Sequence, residues 1–251
     1  SPDGRWLAAG AASGKVNIWD WPARRQVASL PIPFEWCGLL RFSRSGRFLL
    51  ATVQFNDQTS SARIWRTDRW EEVPLADIKV PRISSVELSP DERRLALGYW
   101  SGEVKLSSFP SGAPEASFTN HTGAVARLLF SADGRRLTSA SLDGAVKILD
   151  LLSRRELATL RGHSGWVWSA AFSSDGQRLV TGGTYAEDAV KLWDIATHRE
   201  LLTLPAEGQW FLDLSFSPDG NTLVATSLDG RAHFWRVPSW EQIAAQEARE
   251  R

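Results

Sequence analysis

Apolar and polar positions alternate in short runs along most of this chain, and the runs recur. Between residues 161 and 194 an alternating run covers Val167 to Phe172, and a Ser-Ser-Asp-Gly turn follows at 173–176. A second extended run covers 178–182 and a third covers 189–193. Period-two alternation bounded by Gly/Asp turns predicts three short strands. Three such strands cannot bury a core alone, but the pattern is repeated. Ser-x-Asp-Gly or a close variant begins at Ser1, Ser43, Ser89, Ser131, Ser173 and Ser217, spaced by 42, 46, 42, 42 and 44 residues.

Each of these turns leads into the same sequence of elements: an apolar run such as LALGY or LVTGG, a turn, an ending such as VNIWD or VKLWD, and a more polar run such as RELATL. Four strands in a unit of about 42 residues is the signature of a propeller blade, a four-stranded antiparallel sheet repeated radially. The fold class is therefore all-β, a β-propeller of four-stranded antiparallel blades with six repeats visible. The inner strands are predicted at 37–42, 83–88, 125–130, 167–172 and 211–216. The first repeat begins at its first turn and shows no inner strand of its own.

The chain resembles the WD-repeat β-propellers, in their bacterial form, over nearly its whole length. Gly162-His163, the Asp143-Gly144 and Asp229-Gly230 turns, and the endings Trp19-Asp20 and Trp193-Asp194 carry the resemblance. It implies a toroid of usually seven blades, with no chemistry of its own, whose faces dock proteins or peptides. Residues 1–246 are then an incomplete propeller and 247–251 a charged tail, the rest of a seven-bladed ring being expected upstream in a larger protein. The resemblance further implies a buried hydrogen-bonded tetrad of His, Ser/Thr, Asp and Trp. The fifth repeat carries all four, as His163, Thr181, Asp188 and Trp193. The fourth has His121, Ser139 and Asp143 with Leu149 in place of the Trp. The sixth keeps Asp229 and Trp235, with Glu207 and Ala225 at the other positions. The first and second keep only Trp19 and Trp65, and the third keeps none, so the second and third blades are expected to be the more irregular. Longer turns at 54–61 and 184–187 fall between second and third strands, on the face used for docking in similar propellers.

Composition narrows the function. The formal net charge is zero, against the basic excess usual for nucleic-acid binders. No apolar run is long enough for a membrane-spanning helix. The single cysteine, Cys37, offers no internal disulfide and gives no sign of an oxidising compartment, so a cytoplasmic location is expected. No phosphate loop, dinucleotide fingerprint, nucleophile elbow or zinc spacing is present. No catalytic residue, metal ligand or cofactor is assigned, and the chain reads as a non-enzyme. Strand registers put Arg41 level with Glu87, and Arg127 level with Asp213, as compensating channel-side charges.

The tryptophans carry the functional expectation. There are 13, and third-strand packing accounts for Trp19, Trp65, Trp193 and Trp235. In similar propellers the residues flanking the first inner-strand position, and the one preceding the Asp of the second turn, project around the channel mouth. Those positions hold Trp36, Arg82, Trp100, Trp166, Trp168 and Trp210. Trp and Arg are the residues most enriched at binding hot spots, so these six are the candidate contacts for a protein or peptide partner. A regulatory propeller attached to an upstream enzyme such as a bacterial protein kinase is the alternative; a glycan-binding module or a hydrolase is a more distant one.

Overall fold

A computed structural model of the chain describes residues 1–11, 14–32, 36–56, 59–75, 82–119, 121–217 and 219–236. Among the described residues the strands form six sheets in chain order, each strand lying beside its neighbour in sequence. The first sheet is β1 (Trp6–Ala11), β2 (Lys15–Asp20) and β3 (Arg25–Pro31). The second is β4 (Trp36–Phe42), β5 (Phe48–Asn56), β6 (Thr59–Arg66) and the short β7 (Glu71–Glu72). The third is β8 (Ile83–Leu88), β9 (Arg94–Tyr99), β10 (Glu103–Ser108) and β11 (Pro114–Thr119). The fourth is β12 (Val125–Phe130), β13 (Arg136–Ser141), β14 (Ala145–Asp150) and β15 (Arg155–Arg161). The fifth is β16 (Ser169–Phe172), β17 (Arg178–Gly182), β18 (Val190–Asp194) and β19 (Arg199–Leu204), and the sixth is β20 (Phe211–Phe216), β21 (Thr222–Ser227) and β22 (Ala232–Arg236). Each sheet is one of the blades predicted from the repeat. The expected tail at 247–251 lies outside the described residues.

The repeated Ser-x-Asp-Gly turn has a local cause. Ser131 Oγ donates to Asp133 Oδ1 at 2.6 Å while accepting from the backbone N–H of Arg136 at 2.9 Å, and the N–H of Arg135 donates to Asp133 at 3.0 Å. Gly134 supplies the left-handed φ of 67° that closes the turn. The hydroxyl and the N–H together hold the Asp133 carboxyl below its ordinary range. Blade three has Glu92 at the glycine position, and it takes the left-handed conformation all the same, at φ 57°.

The third and fourth strands carry a second repeated feature. Their pairing slips at Ile18/Trp19, Leu106/Ser107, Ile148/Leu149 and Leu192/Trp193, the same point in four blades. A bulge there bends the outer strand at the Trp position.

The described residues fall into two compact units divided after Ser139, inside the fourth sheet. In the first unit, Val16, Ile18, Leu49 and Trp65 are buried between the first and second blades, and Leu50, Ile64, Val86 and Leu97 between the second and third. In the second unit, Val180, Val190, Phe211, Leu214 and Leu223 are buried between the fifth and sixth. Inner strands are also joined by a side-chain bond that recurs. Ser85 Oγ donates to the carbonyl of Val125, and Ser169 Oγ to that of Phe211, both at 2.7 Å. The blades approach so closely there that a Cβ on Gly98 would lie 2.8 Å from Val125 Cγ1, and one on Gly182 2.8 Å from the Phe211 carbonyl oxygen.

One expectation changes. Much of 54–61 is strand rather than open turn: β5 and β6 stay paired as far as Asn56 and Thr59, with a slip in register between Gln54 and Asn56. Blade three has four strands of six residues each, with slips in pairing at Ile83/Ser85 and Leu106/Ser107. Leu97, buried, fills the slot where blades four and five place a hydroxyl, so apolar packing stands in for the missing tetrad.

Candidate functional site

The buried polar chain of the fifth blade is built from three elements. Thr181 on β17 sits at its centre: His163 Nε2 lies 2.7 Å from Thr181 Oγ1, and Trp193 Nε1 on β18 donates to the same oxygen at 2.8 Å. Asp188, at the end of a short 3-10 turn over Ala186–Asp188, places Oδ2 3.6 Å from His163 Nδ1 and accepts the backbone N–H of Ser164 at 2.6 Å. Burial outweighs the attraction of Asp188 and lowers the His163 pKa to about 4, so the ring is neutral at pH 7. In blade four, His121 Nε2 lies 2.8 Å from Ser139 Oγ. In blade six, Glu207 lies at the surface and pairs with Arg231 at 2.8 Å. These groups are occupied in holding turns to strands.

On the inner strands, Arg41 Nη1 on β4 lies 2.9 Å from Glu87 Oε2 on β8, as the registers predict, in an ion pair outside hydrogen-bond alignment. Burial raises the pKa of Glu87, and the charges of Arg41 and Arg127 oppose that rise. His233 is a packed strand residue, stacked on Trp235 and tilted against Phe211, 5.7 Å from each. Among the described residues no group of three or more His, Cys, Asp and Glu could hold a metal ion. An open cleft of about 610 Å³ on the first sheet, lined by Leu7, Ala9, Trp19 and Trp21, brings no polar groups together beyond Arg24.

The expected contact residues fall into two groups, one in each unit. In the first, the Arg82 guanidinium lies 4.5 Å above the Trp100 ring, and the N–H of Trp100 donates to the Arg82 carbonyl at 3.0 Å. In the second, three indoles meet. Trp166 and Trp168 are 5.7 Å apart edge to face, Trp166 and Trp210 are 5.8 Å apart edge to face, and Trp168 and Trp210 are stacked at 5.4 Å with 22° between their planes. Trp166 remains 44% exposed. Trp36 begins β4, and its side chain lies outside the described residues.

Backbone bonds hold the second group together. The N–H of Trp210 donates to Thr184 O at 2.9 Å, Thr184 Oγ1 donates to Trp166 O at 3.1 Å, and the N–H of Leu228 donates to Trp210 O at 3.1 Å. The 184–187 insertion also brings Tyr185, 46% exposed, against Gly165, where a Cβ would lie 2.7 Å from the tyrosine ring. Tyr185 and the exposed Leu228 are parts of this surface that the tryptophan pattern did not single out. The insertion was the one signal that could have found Tyr185.

Blades built on the Ser-x-Asp-Gly turn, joined inner strand to inner strand and carrying aromatic side chains on their turns, define a β-propeller repeat scaffold. The WD domain, G-beta repeat family matches residues 1–20, 112–150, 154–194 and 199–236, more than half of the chain, and the protein belongs to that family. Over 134 residues, 52% of the chain, it is 28% identical to Telomerase protein component 1 of Rattus norvegicus, and the match spans 5% of that relative's length. Propellers of this family are typically scaffolds for protein interaction. Among the described residues no helix is long and apolar enough to cross a membrane.

Proposed function

We propose that this chain is a non-catalytic scaffold that binds a protein or peptide segment on the face formed by Trp166, Trp168 and Trp210, with Tyr185 and Leu228 beside them. Trp36, Arg82 and Trp100 are the contacts we assign to the other unit. The carrying observation is the three-indole cluster, rings 5.4–5.8 Å apart, left open to solvent at Trp166. Large rigid rings on bonded turns lose little conformational freedom on binding, and apolar patches open to water on a folded protein mark contacts. The mechanism is aromatic burial with polar contacts from the turns at the rim. The part-buried thiol of Cys37, its pKa raised by burial, fits a reducing compartment such as the cytoplasm.

The test is photo-crosslinking in cells with a benzophenone amino acid at position 166, and at Leu152 as a control 92% exposed elsewhere. A discrete protein adduct at 166, absent at 152 and lost when Trp168 and Trp210 become alanine, supports the surface. Equal labelling at both positions, or none at 166, refutes it.

A further inference from the structure

We infer that the indole cluster takes an arginine side chain of its partner, laid flat on the exposed ring of Trp166 and flanked by carboxylates; this rests on the surface proposed above. The first observation is the shape of the cluster. The three rings touch one another, so there is no space between them to surround a compact ammonium group. What they offer is one open aromatic plate, the ring of Trp166, standing edge to face against the stacked Trp168 and Trp210. A planar guanidinium stacks on such a plate, whereas a rounded cation needs rings on several sides.

The second observation is that, at the corresponding turns of blade three, the molecule already lays an arginine on an indole. Arg82 and Trp210 occupy the same place in the repeat, immediately before the first residue of an inner strand, and both are left-handed at φ 56°. Their carbonyls accept equivalent bonds, from Trp100 N–H at 3.0 Å and from Leu228 N–H at 3.1 Å. In the first unit this frame puts the guanidinium of Arg82 4.5 Å over Trp100. In the second, the place of Arg82 is taken by Trp210 itself. The cation–ring contacts among the described residues are Arg5 on Trp6, Arg47 and Arg66 on Phe48, Arg82 on Trp100 and Lys105 on Tyr99, and none falls on the plate.

The third observation is charge. The turns at 184–187, 205–209 and 227–231 carry three carboxylates, Glu187, Glu207 and Asp229, and one arginine. The arginine, Arg231, is shared between Glu207 at 2.8 Å and Asp229 at 3.4 Å, while Glu187 is exposed and has no ion pair among the described residues. Bonds from Ala206 N–H to Ala186 O and from Trp210 N–H to Thr184 O tie the segments carrying Glu187 and Glu207 to the turn that carries Trp210. An aromatic plate with an acidic rim is complementary to a basic, planar group and repels an acidic one.

The experiment is selection of a random twelve-residue peptide display library on the intact chain, followed by anisotropy titration of the selected peptides. Arginine enriched at one position is expected, with at least tenfold weaker binding when that arginine becomes citrulline, which keeps the planar shape and removes the charge. Trp166→Ala with Trp210→Ala should abolish binding, Trp166→Phe should retain most of it, and Glu187→Gln with Glu207→Gln should weaken it several-fold and flatten its salt dependence. Urea midpoints of each variant separate lost binding from lost folding. Peptides that need Trp166 but lack arginine, or bind equally with citrulline, overturn the arginine assignment and leave the surface standing. Binding indifferent to both tryptophans, or no selected peptide at all, overturns the inference.

Discussion

Blades three and five solve the same two problems by different physics. At the buried slot of the second strand, blade five places Thr181, whose hydroxyl joins His163 and Trp193, whereas blade three places Leu97 against Val86 and Leu88. At the surface, blade three's Trp100 lies under Arg82 of its own chain, whereas Trp166 beside blade five is left open. Both slots give four-stranded sheets, so the polar chain is one way of filling a blade rather than a condition for making one. The two surfaces differ in consequence: an indole under a guanidinium of the same chain has its cation contact already satisfied, and an open one has not.

The largest effects are expected at the buried slot. Leu97→Ala should cost about 2–5 kcal/mol by opening a cavity. Thr181→Val should cost about 2–4 kcal/mol, because it strands a His nitrogen and a Trp N–H in the interior. Urea unfolding checks both, and a cost below about 1 kcal/mol for Thr181→Val would show that the polar chain contributes no more than packing.

The next effect separates the blades by pH. His163 has its pKa lowered in the native state to about 4 from 6.5. The unfolded chain therefore takes up a proton below pH 6.5 that the native ring refuses. The stabilisation from keeping His163 neutral is complete above about pH 6.5 and is lost as pH falls toward 4, about 3 kcal/mol in all. Comparing stability at pH 7 and pH 4.5 should show His163→Gln flattening this slope and Leu97→Ala preserving it. An unchanged slope in His163→Gln would remove the histidine from the account.

Smaller effects belong to the surface and the inner strands. Arg82→Ala should cost about 0.5–1 kcal/mol, the range of an exposed cation–ring contact, and should raise the accessibility of Trp100 to fluorescence quenchers. Glu87→Gln should change stability by about 1 kcal/mol or less, since the cost of burying Glu87 offsets much of its attraction to Arg41. Blade five carries Ala171 at that level and needs no partner there. A loss well above that range would assign the pair a structural role that this balance does not predict.

Much of this was readable along the chain. The six turns located the blades because Ser131, Asp133 and Gly134, and their equivalents, close a turn using only atoms within six residues. The Arg41–Glu87 pair followed from strand register, since inner strands of neighbouring blades lie side by side. The absent polar pattern of blade three says nothing about how well Leu97 packs, and its four strands form at full length without it. The Arg82–Trp100 contact was equally hidden: both residues had been assigned to a docking face, but whether one covers the other depends on where their turns meet in space. Gly98 and Gly182 read as ordinary strand glycines in the sequence, but Val125 and Phe211 of the neighbouring inner strands are pressed against them.

Period, turn chemistry and alternation are local properties, and they were sufficient to set the strands and their order, while the residues of the buried polar chain followed from the family resemblance. Which indoles touch, which one lies under a guanidinium and which stays open to water arise between segments that the chain brings together from 18 to more than 40 residues apart. Side-chain contact depends on rotamer and on the approach of separate turns, and neither is written in a one-dimensional pattern; only the folded blades decide it.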